Sequence, residues 1–257
     1  WHLLRSGMTW TFITLADFLA RPWPEARLAY FVNAFRVDHA RRAQLHARLR
    51  ELSCTAVWTL WPGVVGEAGL GLAGTRALTG FDVRWLAPSG GDWMFRARAG
   101  AGLTYGTGAG REDYAARMKY YPEASAFAAA PRLGIRPDTG DEQLADWQDV
   151  PEVALARTAR LGFSSVLNCG PLLPAPLVQE VAVAAGVHAY VEAGHLVYAN
   201  ERMFALYAGS SGPCTVRFPD PVRVYDLWND RALAEQPVRE LVVDVVENHT
   251  YLWRLDS

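Results

Sequence analysis

Cys169 lies in Val-Leu-Asn-Cys-Gly-Pro, after a run that reads as a strand and before one that reads as a helix. A thiol so placed could be activated by the helix dipole. It would also need a base, and His188 and His195 follow downstream. Their spacing fixes no geometry, and a free cysteine more often behaves as a small hydrophobe. A buried structural cysteine is therefore the favoured reading of Cys169. A stand-alone amidotransferase-like or thiol hydrolase using Cys169 is the alternative.

The other candidate chemistry is thinner. Gly69-Leu-Gly71-Leu-Ala-Gly74 spells G-x-G-x-x-G. A dinucleotide fingerprint needs those glycines directly after the first strand, where the pyrophosphate meets a helix N-terminus. Here eight residues separate them from the end of the strand near Leu60. The glycines from Gly100 to Gly110 lack the Gly-Lys-Ser/Thr ending of a phosphate loop. The histidines His2, His39, His46, His188, His195 and His249 do not pair at the spacing of a zinc site. Asp138, Asp141, Glu142, Asp146 and Asp149 cluster among polar residues. A calcium loop would alternate more tightly, so a solvated loop is expected. Asn248-His-Thr250 fits a glycosylation sequon. No two carboxylates are recognisable as the acid pair of a glycosidase. No catalytic, cofactor-binding or metal-binding residue is assigned, and no cofactor is expected.

The elements around these residues read as α/β. Thr9–Leu15 and Leu28–Phe35 are expected strands, the second buried on both faces. Asp38 is the expected N-cap of a helix over 40–52. Thr55–Leu60 is the next strand, completing a βαβ unit with parallel pairing. A short helix over 72–79 stops at Gly80, and a strand follows from Phe81 to Ala87. Residues 90–110 read as a loop or loose hairpin, and 114–130 are assigned to no element. Glu152–Arg160 and Gly162–Leu167 read as a hairpin. Pro174–Ala185 is a helix with Gly186 past its end, and Val187–Val191 and Leu196–Tyr207 return to strand. Beyond Ser210 the chain turns to short strands, with Asp220-Pro221, Asn229-Asp230 and Glu247-Asn248 as turns. This segment reads as a small β-sandwich or half of one.

Composition narrows the function classes. The chain has 257 residues, 51% of them apolar, enough for a large core. The net charge is −2, without the basic excess of a nucleic-acid binder. Arg41, Arg42, Arg48 and Arg50 read as a solvated helix face. No apolar run reaches the ~18 residues of a membrane span. Cys54, Cys169 and Cys214 are too few and too far apart for a disulfide framework. Neither nucleic acid nor membrane is an expected partner. The aromatic residues could serve sugar stacking, although core packing is the commoner fate of such rings. Trp1–Gly7 reads as the end of a helix with a glycine stop, so the chain is expected to be part of something longer. A cytoplasmic location is favoured, with secretion left open.

Several motifs in order resemble a known family. They are Gly7-Met-Thr-Trp-Thr-Phe-Ile-Thr-Leu-Ala-Asp17, Ala29-Tyr-Phe-Val-Asn-Ala-Phe35, Val57-Trp-Thr-Leu-Trp-Pro-Gly63 and Leu78-Thr-Gly-Phe81. Gly162-Phe-Ser-Ser-Val, Pro171-Leu-Leu-Pro174, Ala185-Gly-Val-His-Ala-Tyr190 and Leu196-Val-Tyr-Ala-Asn200 continue the series. Together they resemble the β-galactosidase trimerisation-type domain that follows the catalytic barrel in family 42 glycoside hydrolases. The tail from Val224 to Trp253 resembles the small C-terminal β-domain of such enzymes.

The resemblance implies a flavodoxin-like, mostly parallel sheet with helices on both faces, akin to class I glutamine amidotransferases. A small all-β, sandwich-like domain would follow. The implied division is 1–209 for the flavodoxin-like domain, truncated at its N-terminus, and 210–257 for the β-domain. The family's catalytic acids belong to a barrel upstream of Trp1, which would be this region's partner in the same chain. Self-assembly, as a trimer, and the parent's carbohydrate substrate complete the implied partners. The amidotransferase nucleophile turn would fall at Trp61-Pro-Gly63, which holds no thiol.

Overall fold

The computed structural model describes residues 2–23, 26–67, 69–88, 95–98, 130–170 and 173–256. The chain divides into two compact units, Ile13–Leu173 and Trp1–Phe12 with Pro174–Ser257.

In the first unit α1 is Leu15–Ala20, β1 Leu28–Phe31, α2 His39–Glu51 and β2 Thr55–Thr59. β1 and β2 pair in parallel, and the Asp38 carboxylate caps α2 by accepting from the Arg41 N–H at 2.8 Å. The βαβ reading therefore holds. Next come the β3–β4 hairpin (Val65–Gly66, Gly69–Leu70), α3 (Ala73–Thr79), β5 (Asp82–Leu86) and β6 (Phe95–Ala97). Then follow β7 (Arg132–Arg136), β8 (Glu142–Trp147), β9 (Val153–Thr158) and β10 (Ser165–Asn168).

One sheet runs β1-β2-β10-β9-β7-β5, with β8 on β9 and β6 on β8. The α/β class is as expected from sequence, and the sheet is mixed. Parallel pairing is confined to β1, β2 and β10, and the described strands beyond β10 pair antiparallel. All five residues of β2 are buried. Trp58 near its end stacks on Phe31 at 4.4 Å. Its indole N–H donates to Ser165 Oγ at 3.0 Å, and that hydroxyl donates to the Thr79 carbonyl at 2.6 Å. A polar chain thus crosses the core with each donor satisfied.

The second unit contains α4 (Ala175–Ala184) and a five-stranded antiparallel sheet. Its strands are β11 (Leu196–Ala199), β12 (Met203–Tyr207), β13 (Gly212–Asp226), β14 (Arg231–Val245) and β15 (Thr250–Asp256), in the order β11-β12-β15-β13-β14. The sheet therefore begins upstream of residue 210. Phe204, Val216, Phe218, Trp253 and Leu255 lie in its core.

Several local expectations differ from the structure. The strand expected over Leu28–Phe35 ends at Phe31 and is only partly buried. Thr9–Thr14 is not a strand, and Leu15 already belongs to α1. The Thr14 hydroxyl accepts from the Asp17 N–H and donates to the Asp17 carboxylate, a capping exchange that starts a helix despite the β-branched run. Val187–Val191 is irregular, because the N–H groups of Tyr190 and Val191 both turn to the Gly7 carbonyl. Asp220-Pro221 is no turn but an irregularity within β13, where the register shifts between Arg217 and Val222. The loop or loose-hairpin reading over 90–110 and the unassigned stretch 114–130 lie outside the described residues, apart from β6, Arg98 and Ala130.

Candidate functional site

Open α/β sheets bind ligands at the carboxyl ends of their parallel strands. Here those ends are Phe31, Thr59 and Asn168. The chain leaves β2 through Leu60, whose φ of 66° is unusual for a bulky residue. The strained position thus falls at Leu60, one residue before the expected Trp61-Pro-Gly63 turn. The Leu60 N–H donates to the carbonyls of Asn168 and Gly170, both at 3.0 Å, and its side chain is buried in the core. An apolar plug stands where a nucleophile would need a reactive atom.

The polar groups at this edge are consumed by the backbone. The Asn168 side chain donates to the Gly170 carbonyl at 3.1 Å and accepts from its N–H at 3.0 Å. The Tyr30 hydroxyl accepts from the Leu173 N–H at 3.3 Å, and burial pushes its pKa up. Thr59 Oγ1 donates to the Phe31 carbonyl at 3.2 Å.

Cys169 is 0% exposed and packs in the same core as Trp58 and Leu167. Burial raises its pKa, so the thiol stays protonated and sealed from solvent. His188 and His195 lie in the other unit. The His188 ring bonds the Arg217 carbonyl at 3.0 Å. His195 Nδ1 accepts from the Gly209 N–H at 3.2 Å. Neither histidine is arranged as a general base by these bonds.

The remaining motifs resolve into structure. Gly69 sits in the β3–β4 hairpin and Gly74 in α3, where a Cβ would lie 2.1 Å from the Gly63 carbonyl oxygen. The G-x-G-x-x-G letters thus serve a hairpin and a close backbone approach. His46 donates through Nε2 to the Leu78 carbonyl at 2.8 Å, tying α2 to α3. Among the described residues no group of three His, Cys, Asp or Glu side chains could hold a metal, and no helix is long and apolar enough to cross a membrane.

The acidic cluster is not a free loop. Asp138 and Asp141 both bind Arg160, Glu142 binds Arg157, Asp146 binds Arg98 and Asp149 binds Arg132. Arg132 is 2% exposed, with its guanidinium 4.8 Å from the Trp147 ring centroid. Its hydrogen bonds hold the Asp149 carboxyl below the usual carboxylate range. Sequence reading missed these partners because they come from neighbouring strands. It also missed an open cleft of ≈ 450 Å³ lined by Ala73, Arg76, Ala77, Gly80, Arg160 and Leu161. The arginine Arg160 in it is already neutralised by Asp138 and Asp141.

In the second unit Trp253 is buried and stacks on Phe204 at 5.2 Å, as the core reading anticipates. Trp228 is 66% exposed, against that reading. The sequon's Asn248 accepts from the Tyr207 hydroxyl at 2.8 Å.

No family profile and no curated protein sequence matches the chain. Solved structures do. The β-galactosidase from Bacillus circulans sp. alkalophilus is similar at TM-score 0.54 and 14% identity, over 89% of this chain and 33% of that one. Gan42B, a GH42 β-galactosidase from G. stearothermophilus, is similar at 0.57 and 12%, over 98% and 34%. The cold-adapted β-galactosidase from Rahnella sp. R3 is similar at 0.56 and 12%, over 98% and 35%. The chain spans about a third of the length of these proteins, and at such identities the likeness is one of fold.

Proposed function

We propose that residues 1–257 form a non-catalytic accessory region of a β-galactosidase-type glycoside hydrolase, whose catalytic barrel lies upstream in the same protein. The observation that carries this reading is the match of nearly the whole chain to about a third of each GH42 β-galactosidase. The plugged strand ends around Leu60 and the sealed thiol of Cys169 support it, since neither offers a reactive group. The thiol-hydrolase alternative needs an accessible thiolate, and burial of Cys169 opposes it. In this reading the region packs on the barrel and helps assemble the parent as a trimer. Light scattering on the full-length parent tests the assembly role. A trimer is expected, and a monomer at micromolar concentration would overturn it.

A further inference from the structure

Residues 191–195 make a turn ahead of β11 that grips two other parts of the second unit. On one side lies the N-terminal segment. The Gly7 carbonyl accepts from the Tyr190 N–H at 2.9 Å, and the Gly194 N–H donates to the Arg5 carbonyl at 2.7 Å. The Gln179 amide of α4 donates to the carbonyls of Ser6 and Val191, both at 2.7 Å. Leu3, Ser6 and Met8 are buried there. On the other side lies the connection between β12 and β13. Its Gly209 N–H donates to His195 Nδ1 at 3.2 Å. A Cβ on Gly7 would overlap the Val191 carbonyl oxygen, and one on Gly209 the Gly194 carbonyl oxygen. Backbone meets backbone on both sides, so the turn has no room to slide.

His195 makes this grip sensitive to acid. It is 8% exposed. A backbone N–H can only donate, so Nδ1 is the acceptor and the neutral ring carries its proton on Nε2. A proton added to Nδ1 turns that acceptor into a donor aimed at another donor. The bond to Gly209 must then break, and a charge is left in a buried place. Burial accordingly holds the His195 pKa below the ordinary 6.5, with the Glu192 carboxylate opposing the shift and the Arg5 guanidinium adding to it. One Arg5 nitrogen reaches the same crossing, 3.4 Å from where a Gly209 Cβ would sit. A protonated His195 therefore meets a second cation on the N-terminal segment. Cys214 on β13 stays a neutral thiol, because burial raises its pKa. His249, whose carbonyl accepts from the Ala208 N–H at 2.9 Å, is exposed.

We propose that residues 191–195 are an acid-opened clasp, in which protonation of His195 releases Gly209 and, through Gly194 and Arg5, loosens the N-terminal segment 2–8. Gly194 links the two sides, since its carbonyl abuts Gly209 and its N–H holds Arg5. The closed clasp requires a neutral ring, whereas an open one lets His195 protonate at its ordinary value. The closed form is thus fully favoured above about pH 6.5 and loses ground below it. Between pH 7.5 and 5 the open form gains by up to about thirtyfold, the ratio fixed by the distance from 6.5 to 5. Histidine protonation acting on a two-state element is a common form of pH sensor. The inference goes beyond the accessory reading and is independent of it, because the clasp lies wholly within the second unit.

The experiment is amide hydrogen exchange of residues 1–257, read by nuclear magnetic resonance at pH 7.5 and 5 and corrected for the intrinsic exchange rate. The reporters are the amides of Tyr190, Gly194 and Gly209, which hold the two sides of the turn. Their opening constants should rise together, by at least roughly threefold and up to about thirtyfold, while amides of β12 and β15 stay protected. His195→Asn keeps a side-chain acceptor but does not titrate, so the rise should vanish there. His46→Asn, in the other unit, should leave it in place. The imidazole nitrogen shifts of the wild type give a check that needs no variant, with Nδ1 unprotonated at pH 7.5. A smaller rise, an equal rise in His195→Asn, a rise shared by β12 and β15, or a proton on Nδ1 at pH 7.5 would each overturn the clasp.

Discussion

Gly63 and Gly74 approach so closely that a Cβ on Gly74 would lie 2.1 Å from the Gly63 carbonyl oxygen. Backbone, not a flexible side chain, occupies that space. Gly74→Ala must therefore push α3 away from the loop that follows β2. The expected cost is about 1–3 kcal/mol, the range for overpacking a tight contact. Gly71 has open space around it, so Gly71→Ala should cost far less. Thermal melts of the two variants check the contrast, and equal losses would contradict it.

Arg132 and Asp149 give a second contrast. The guanidinium is buried and doubly bonded to the carboxylate, at 2.7 and 2.8 Å. Asp149→Asn would leave a buried charge without its counter-ion. Because Asp149 is itself 44% exposed, water softens the loss, and about 1 kcal/mol is expected. Glu51→Gln removes the carboxylate from the exposed end of the Arg48 pair and should change stability immeasurably. Chemical denaturation of both variants is the test.

Acid sensitivity should centre on two histidines. Burial lowers the pKa of both His46 and His195 below the ordinary 6.5. The unfolded chain then binds more protons than the folded one between the folded value and 6.5. The stability they contribute is intact above about pH 6.5 and is lost as the pH falls toward the folded values. Melting temperatures should decline from pH 7.5 to 5, and His195→Asn should flatten part of that decline. A melting temperature that rises on acidification would contradict the assignment.

The cysteines should be inert. All three are buried, and burial raises each pKa, that of Cys54 to about 12. Iodoacetamide at neutral pH should label the folded chain slowly and the denatured chain to completion. Fast, selective labelling of Cys169 in the folded chain would revive the thiol reading.

Much of the fold was legible because local signals and tertiary context agreed. Asp38 caps α2 and Gly80, with φ 85°, ends α3, as their types announce. The apolar run from Thr55 became β2, buried at all five of its residues. What stayed hidden depends on distant partners. Thr9–Thr14 has strand composition, but the Thr14–Asp17 exchange starts a helix next to it. The acidic residues from Asp138 to Asp149 look solvated until arginines far along the chain meet them. Val187–Val191 loses its strand to the Gly7 carbonyl across the sequence. The turn after β2 was expected at Trp61-Pro-Gly63, and the positive φ of Leu60 just before it needed backbone angles.

The central proposal is that residues 1–257 form a non-catalytic accessory region of a β-galactosidase-type glycoside hydrolase. Its most direct test is prolonged incubation of the purified chain with nitrophenyl β-galactoside, nitrophenyl esters and glutamine. No turnover above buffer is expected for any of them, with wild type and Cys169→Ala indistinguishable. Turnover that saturates with substrate and disappears in Cys169→Ala would contradict the claim.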